Sequence, residues 1–263
     1  NFAASMNTIR FATYNLRYAN NKDHGNLWVD RSAIVINLIR FHDFDILGTQ
    51  EGITTQLDHI SEALPYFERF GAGRDDGALA GEHSAIFFKK EKFTLLQGGN
   101  FWLSETPGKP GFGWDARHNR ICSWVELKVT ATGKNLFVFN AHFDHYGKIA
   151  RNESSKLVLE RIASIAGTSD TALMGDFNDD HITTTYKLLA ESTMLNDTYR
   201  LAPHPYLNNP SFNSWGQPSE ENRLIDHIFV SKNATVKRYG VLTDTYFSKT
   251  PSDHFPVTAD VNF

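Results

Sequence analysis

The chain has 263 residues, of which 41% are hydrophobic and 21% are charged, and its formal net charge is −4. This composition excludes an intrinsically disordered protein, and the length suits one large α/β or two-sheet domain with a substantial core. The acidic balance indicates no strong basic surface of the kind that grips a nucleic-acid backbone. No apolar run approaches the ~20 residues that a membrane-spanning helix needs.

Cysteine content and the start of the chain bear on its environment. The single cysteine, Cys122, excludes an intrachain disulfide, and its alternating surroundings predict a small buried side chain. The chain begins at Asn1, which leaves two localisations open: secretion or export to the periplasm after removal of a signal peptide, or the cytoplasm. We expect a monomer with a single domain over residues 1–263, and a flexible tail over residues 1–7.

Helical and strand-like patterns alternate along the chain, and glycine or proline marks several of the boundaries. We predict, in chain order, a strand over 9–18, a helix over 28–42, a strand over 45–51, a helix over 54–64, strands over 83–96, 120–131 and 135–145, a helix over 148–167, a strand over 171–177, a helix over 183–192, and strands over 223–231, 236–243 and 255–263. Residues 132–134 predict a hairpin turn between two of these strands. This order of elements fits two packed mixed sheets with helices outside.

Polar side chains stand at the ends of several predicted strands. An Asp in such a place is ordinarily a turn former or a solvated residue. Asp226 fits that interpretation poorly, because it lies within an apolar strand, where carboxylates are rare unless they are paired or bound to metal. The set comprises Asn15, Glu51, His142, Asp144, His145, Asp176, Asn178, Asp226, Asp253 and His254.

Together these side chains have a chemical logic. Carboxylates without cysteine favour Mg²⁺, with Mn²⁺ or Ca²⁺ as alternatives, over a zinc site, and the eleven histidines include no HExxH spacing. The amides can bind a phosphate oxygen or orient a water, and the histidines titrate near neutral pH. A divalent ion, neutral donors and a His–Asp pair are the groups needed for attack of water on phosphorus.

The stretch "MGDFNDD" predicts a division of labour among neighbouring residues. Asp176 and Asn178 are expected to face the site, and Phe177 between them to face the core. Asp179 and Asp180 lead towards a helix beginning near Ile182, so we expect structural roles for both, with Asp180 as the helix cap.

The motifs "TYNLR", "GTQE", "GEHSAIFFKK", "FWLSETP", "RICSWV", "NAHFDHYGKIAR", "MGDFND", "RLIDHIFVS" and "SDHFPV", in this order, resemble the endonuclease/exonuclease/phosphatase (DNase I-like) superfamily, and most closely its small bacterial members. The resemblance implies a four-layered α/β sandwich, in which two mixed β-sheets pack face to face with helices outside and the site lies at one edge. It also implies a metal-dependent hydrolase that cleaves a phosphodiester or a phosphomonoester by in-line attack of water.

The resemblance further implies roles for individual residues. Metal binding falls to Glu51 as the principal ligand, with Asn15 and Asp253 beside it. Catalysis and phosphate binding fall to His142, Asp176, Asn178, Asp226 and His254. His227, where the family often has Tyr, is expected to be a packing variant.

Other assignments stay open in the sequence. Arg120 precedes a strand and is a candidate for substrate binding, while Arg151 either reaches a phosphate or is a solvated helix residue. The loops over 71–81 and 203–221 are either plain surface or the rim of the site, and Phe112 and Trp114 are candidates for a membrane or sugar contact. Two alternative functions remain: a nuclease acting on DNA or RNA, and a catalytically silent binding module.

Overall fold

Two six-stranded mixed sheets organise residues 7–263, the part of the chain that this computed structural model describes. The tail expected over residues 1–7 lies outside that part except for Asn7. The strands are β1 (Ile9–Asn15), β2 (Ile46–Gly52), β3 (Phe67–Phe70), β4 (His83–Lys89), β5 (Phe93–Trp102), β6 (Ile121–Val129), β7 (Asn135–His142), β8 (Asp170–Asp176), β9 (Leu195–Asp197), β10 (Asp226–Ser231), β11 (Thr235–Val241) and β12 (Val257–Asn262). The helices are α1 (Trp28–His42), α2 (Thr54–Ala63), α3 (Lys148–Ile165), α4 (Thr184–Ala190) and α5 (Thr198–Leu201), with a 3₁₀ turn at Ser214–Gly216.

The two sheets repeat one pattern. Sheet A has the order β11-β12-β1-β2-β4-β3, and sheet B has the order β5-β6-β7-β8-β10-β9. Each sheet has a parallel pair at its centre, β1 with β2 and β7 with β8, flanked by antiparallel strands. Parallel neighbours end at the same edge of a sheet, so each sheet presents two adjacent carboxyl-terminal strand ends there.

Three buried clusters define four layers. The central cluster joins the facing sides of both sheets, with Phe11 and Ile86 from sheet A against Val138 and Met174 from sheet B. A second cluster packs α3 and α4 on the outer face of sheet B, and a third packs α1 and α2 on the outer face of sheet A. The predicted four-layered sandwich is therefore confirmed, and Cys122 is buried in the second cluster as expected.

The strand predicted over 83–96 is two strands that belong to different sheets. The chain turns between β4 and β5, where Lys92 donates its amide N–H to the carbonyl of Lys89. The ammonium groups of both lysines approach Asp45 at the base of β2, at 3.2 and 2.8 Å. Burying charged side chains inside a strand is unfavourable, and these lysines form ion pairs at the edge of sheet A. The strand therefore ends here, and the chain crosses to the other sheet. The short elements β3, β9 and α5 went unpredicted, because three or four residues are too few to show a period.

A buried polar bridge joins the sheets beneath one edge of the sandwich. The Gln50 amide donates to Asn140 Oδ1 at 2.8 Å and to Thr13 Oγ1 at 3.0 Å. The Asn140 amide in turn donates to the backbone carbonyls of Thr49 and Ala85, both at 2.8 Å. Buried polar groups are tolerated when they are hydrogen-bonded in this way. The bridge fixes β2 of sheet A against β7 of sheet B, one residue before Glu51 and two residues before His142.

Candidate active site

The polar strand ends meet at that edge of the sandwich. In sheet B, His142, Asp176 and Asp226 lie side by side, because β7 pairs His142 with Asp176 and β10 pairs Asp226 with the same residue. In sheet A, Asn15 ends β1, and Glu51 lies near the end of its parallel neighbour β2. Residues distant in sequence therefore converge because the topology aligns their strands.

Backbone irregularities direct two carboxylates into the site. Glu51 has a φ of 65°, and the pairing of β2 with β4 shifts register between Thr49 and Gly52. A β-bulge of this kind turns a side chain out of the regular alternation, and strained residues cluster at functional sites. Gly175, just before Asp176, has a φ of 156°, and a Cβ built on it would lie 2.0 Å from the Ala141 carbonyl oxygen. Glycine is therefore required for the close approach of β7 and β8 at this point.

Asn15 joins the two carboxylates. Its amide nitrogen donates to Glu51 Oε2 and to Asp176 Oδ2, each at 2.9 Å, while its own oxygen accepts from the Arg17 amide. In this arrangement the amide nitrogen of Asn15 bridges the carboxylates of Glu51 and Asp176. The role of Asn15 at the metal site stays a prediction.

His142 lies between Arg120 and Asp176. Arg120 Nη1 is 3.1 Å from Nδ1 and 3.2 Å from Nε2 of His142, and Nε2 is also 3.4 Å from Asp176 Oδ2. A guanidinium only donates, so its approach favours the neutral imidazole, which keeps a lone pair. Burial and the charge of Arg120 lower the pKa of His142, so its imidazole is neutral at pH 7.

His254 is in the opposite charge state. Its Nδ1 is 2.8 Å from Asp226 Oδ2, and its Nε2 points towards Asp176 Oδ2 at 3.7 Å. Burial alone would lower the pKa of His254, but the carboxylate of Asp226, followed by those of Asp176 and Asp253, raises it to about 10. His254 is thus an imidazolium at neutral pH. Burial raises the pKa of Asp226 to about 6, which leaves it ionised beside that cation.

The donor set suits a hard divalent cation. One atom from each of Glu51, Asp176 and His254 lies within 4.8 Å of the others, and the two carboxylates supply the ligands, because protonated His254 has no lone pair to offer. Burial would raise the pKa of both carboxyl groups, but the nearby histidines, with the hydrogen bond from Asn15, hold the two pKa values below their usual range. Mg²⁺ is commonly bound through one or two carboxylates together with water and phosphate oxygens, so Glu51 and Asp176 fit it. Asp253 lies outside this cluster but lines the cavity above it, and burial raises its pKa to about 6.

The cluster forms the floor of an open cavity of about 670 Å³. Its walls mix both signs of charge and carry aromatic rings. The lining residues are Arg17, Tyr18, Glu51, Arg74, Glu82, His118, Arg120, His142, His145, Tyr146, Asp176, Asn178, Phe212, Glu221, Arg223, Ile225, Asp253 and His254.

Comparison with known proteins places this site in a family. Residues 12–254 match the Endonuclease/Exonuclease/phosphatase family. The chain belongs to this family. The match spans the residues from β1 to His254 that form the floor of the cavity, and membership supports a phosphoesterase activity.

Solved structures agree with that assignment. An endonuclease/exonuclease/phosphatase family protein from Bacteroides thetaiotaomicron is 45% identical, covers 97% of this chain and 98% of its own, and superposes with a TM-score of 0.93. A mannosyl-6-phosphatase from the same organism is 44% identical, covers 97% and 100% of the two chains, and also has a TM-score of 0.93. An uncharacterized protein of Acanthamoeba polyphaga mimivirus is 27% identical over 253 residues, which are 88% of this chain and 90% of that protein.

Within this family fold, Arg151 does not reach the cavity. Its Nε pairs with Asp179 at 2.8 Å, and its Nη1 donates to the carbonyls of Asp144 and His145 at 3.2 and 2.8 Å. All three partners belong to loops that flank the site, so the structure supports neither a phosphate contact nor a freely solvated side chain. Arg120, in contrast, lines the cavity as expected.

The stretch after Asp176 also differs from expectation in part. Phe177 is buried, and Asn178 lines the cavity, although Asn178 reaches it through a φ of 50° rather than through an extended backbone. Asp180 is not the helix cap. Helix α4 begins two residues later than expected, and Thr183 is its N-cap, with the hydroxyl accepting from the Tyr186 amide.

Sequence reasoning missed most of the cavity wall. Arg74 and Glu82 come from one flanking loop, and Glu221 and Arg223 come from the other. In the sequence, the polar composition of these loops was the one indication that they line the site. Phe112 and Trp114 lie outside this lining.

Asp144 was expected among the polar strand ends. The structure shows that it organises the adjacent loops by accepting the backbone N–H groups of residues 117, 118, 146 and 147.

Proposed function

We propose that this family member is a divalent-metal-dependent phosphatase that hydrolyses the phosphate monoester of a sugar by in-line attack of water. The observation that carries the proposal is the Glu51–Asp176–His254 cluster at the floor of a cavity large enough for a phosphorylated monosaccharide. A divalent cation held by Glu51 and Asp176 supplies positive charge against the phosphoryl oxygens.

The remaining groups suit distinct parts of the reaction. Asp176, an ionised carboxylate, orients the attacking water and accepts its proton. His254, an imidazolium, delivers its Nε2 proton to the leaving alcohol, because its Nδ1 proton is held by Asp226. Asp226 keeps His254 charged and in orientation. Neutral His142 and Asn178 supply further donors near the non-bridging oxygens, and Arg120 adds a fixed positive charge behind His142.

The substrate class follows from the cavity and from one relative. The Bacteroides mannosyl-6-phosphatase is 44% identical over nearly the whole chain. The rim pairs Arg74 with Glu82 at 2.6 Å and also carries Glu221 and Arg223. Such mixed charge disfavours the evenly spaced phosphates of a nucleic acid, whereas hydroxyl groups of a sugar can pair with both signs.

A panel of phosphate-release assays tests the proposal. Mannose 6-phosphate, a simple phosphodiester and plasmid DNA are each incubated with Mg²⁺, Mn²⁺ or Ca²⁺, and with EDTA as control. We expect EDTA-sensitive release of phosphate from the sugar monoester and little cleavage of the other two. Turnover that survives EDTA would contradict the metal requirement, and preferential cleavage of plasmid DNA would favour the nuclease alternative.

The metal assignment has its own variant. Glu51→Gln keeps the size of the side chain but removes its charge, so calorimetry should show Mg²⁺ affinity greatly weakened or lost while the protein stays folded. Glu62→Gln, the same change on an exposed helix residue, is the matched control. Unchanged Mg²⁺ affinity in Glu51→Gln would contradict the assignment.

A further inference from the structure

A second cluster of metal-ligating side chains lies outside the cavity. One ligand atom from each of His181, Asp197 and His227 lies within 4.8 Å of the others. His227 follows Asp226 on β10, and neighbouring residues of a strand face opposite sides of the sheet. Asp226 pairs with His254 in the active site, whereas His227 packs with Phe229 and Tyr186 on the outer face of sheet B, under α4.

We propose that these three residues form a zinc site that is separate from the active site and independent of the proposed phosphatase activity. Two imidazoles and a carboxylate make a set of mixed nitrogen and oxygen donors. Zn²⁺ binds histidine nitrogen and carboxylate oxygen and is softer than Mg²⁺, which prefers oxygen alone.

The strongest support is an unsatisfied nitrogen. His181 Nε2 is buried and has no hydrogen-bond partner within residues 7–263. Asp197 Oδ2 lies 3.7 Å from it, which is too far for a hydrogen bond. A tetrahedral ion with ligands at ~2.0–2.1 Å separates them by about 3.4 Å, so a shift of a few tenths of an ångström would let both bind one zinc. The ion would satisfy a buried atom that otherwise carries a desolvation cost.

His227 and Asp197 have the supporting contacts that metal ligands need. His227 Nε2 is 2.7 Å from the Asp179 carbonyl, to which it must donate, so Nδ1 is the nitrogen with a free lone pair. A ligating histidine ordinarily donates its other N–H to a carbonyl in this way. Asp197 accepts the amide of Tyr199 at 3.0 Å through Oδ1 and the Tyr186 hydroxyl through Oδ2.

Aromatic rings and charges of both signs surround the cluster. The Tyr186 and Tyr199 ring centroids lie 4.8 and 4.9 Å from that of His181. Arg200 lies over the Tyr186 ring at 5.3 Å from its centroid, and its positive charge opposes a bound cation, whereas the carboxylate of Asp197 attracts one.

The location gives the ion a mechanical consequence. His181 belongs to the loop that runs from Asp176 to helix α4, Asp197 ends β9, and His227 is on β10. Zinc would join this loop to β9 and β10, and so would restrain the backbone that carries Asp176 and Asn178. The sequence gives no local motif for the site, because its ligands are spread from residue 181 to residue 227.

Co²⁺ binding tests the site, because four-coordinate Co²⁺ with nitrogen ligands has intense visible absorption. The titration uses Glu51→Gln protein with Mg²⁺ in excess, so that binding in the cavity is suppressed. We expect one equivalent of Co²⁺ to give these bands and Zn²⁺ to displace it. Adding His181→Ala should weaken binding by more than about a hundredfold, since loss even of an outer-shell partner costs 10–100-fold. His204→Ala, at an exposed histidine, should leave binding unchanged.

Two outcomes would overturn the proposal: absence of the bands in Glu51→Gln protein, or equal affinity in its His181→Ala derivative. A measurement without further substitution covers the case in which the double variant does not fold. X-ray absorption at the zinc edge, on zinc-loaded Glu51→Gln protein, should show two imidazole rings in the first coordination shell. A shell of oxygen atoms alone would contradict the site.

Discussion

At the scale of single residues, the site depends on two histidines held in opposite charge states around one carboxylate. Burial and the charge of Arg120 keep His142 neutral, while Asp226 keeps His254 protonated. Asp176 lies between them, 3.4 Å from His142 Nε2 and 3.7 Å from His254 Nε2. Titratable groups whose environments push their pKa values apart can divide acid and base roles between them.

Asp176→Asn should therefore be folded and almost inactive. The amide keeps the shape of the side chain but cannot accept a proton, and loss of a general base typically lowers turnover by ~10²–10⁴. Steady-state kinetics on the preferred monoester and a thermal melt check both parts. Asp180→Asn is the matched control, and its turnover should stay within a few-fold of wild type; equal inactivity of the two folded variants would refute the assignment.

The sequence could show which residues gather but not how each one is used. Glu51 and Asp176 stand at strand ends, and that position alone predicts convergence. The orientation of the Asn15 amide depends on two carboxylates, one of them 161 positions away. Arg151 was ambiguous for the same reason, because its partner Asp179 becomes visible only when α3 packs beside the loop after β8.

At the scale of secondary-structure elements, short-range interactions set where the helices and strands that carry the site begin and end. Helix α1 was predicted with its observed bounds, since its apolar period runs through 15 residues. Helix α4 has seven residues, and its start depends on a side-chain hydrogen bond that several nearby residues could have supplied. The choice of Thr183 over Asp180 follows from backbone geometry, which composition does not reveal.

Thr183→Ala should lower the free energy of unfolding by ~0.5–2 kcal/mol, the usual cost of losing an N-cap side chain. The Thr183 hydroxyl accepts the Tyr186 amide at 3.3 Å and donates to the Asp180 carbonyl at 3.1 Å. Urea denaturation followed by circular dichroism measures the loss. Thr184→Ala, at the exposed neighbouring position, serves as the control and should cost clearly less; a reversed order would show that Thr183 is not the cap.

Gly175→Ala should affect both stability and activity. The added methyl group would meet the Ala141 backbone, which cannot rotate away as a flexible side chain can. Overpacking of a core typically costs ~1–3 kcal/mol, and here relief requires β7 and β8 to separate where His142 and Asp176 lie side by side. Denaturation and kinetics on the same sample test this; a fully active, equally stable variant would show that the close approach is unnecessary. Gly133→Ala tests a glycine that also has positive φ but nothing near its Cβ.

At the scale of the whole molecule, charge bears on the class of substrate. The net charge is −4, and the cavity is lined by both acidic and basic groups. No helix among residues 7–263 is long and apolar enough to cross a membrane. The overall architecture was the most predictable level, because the alternation of long helices and strands leaves few possible folds. The placement of β4 and β5 in different sheets was not predictable, because it depends on the turn between them, which the structure shows.

Duplex DNA should bind poorly at physiological salt, since few cationic side chains are placed to release counterions from its backbone. Fluorescence anisotropy with a labelled duplex, repeated at low and physiological salt, measures the affinity and its salt dependence. A plasmid-nicking assay at low enzyme concentration complements it. Tight binding at physiological salt together with efficient nicking would count against a sugar monoester as the substrate.

The pairing of β1 with β12 has a consequence for how the protein is made. These strands lie at opposite ends of the chain, yet Ile9 pairs with Val261 and Thr13 with Val257. A ribosome releases β1 and its parallel neighbour β2 long before β12, so one edge of β1 stays open until β12 is made. Contacts of such long range form slowly and leave strand edges exposed to aggregation. The active site is completed late for the same reason, because His254 lies shortly before β12 in the chain.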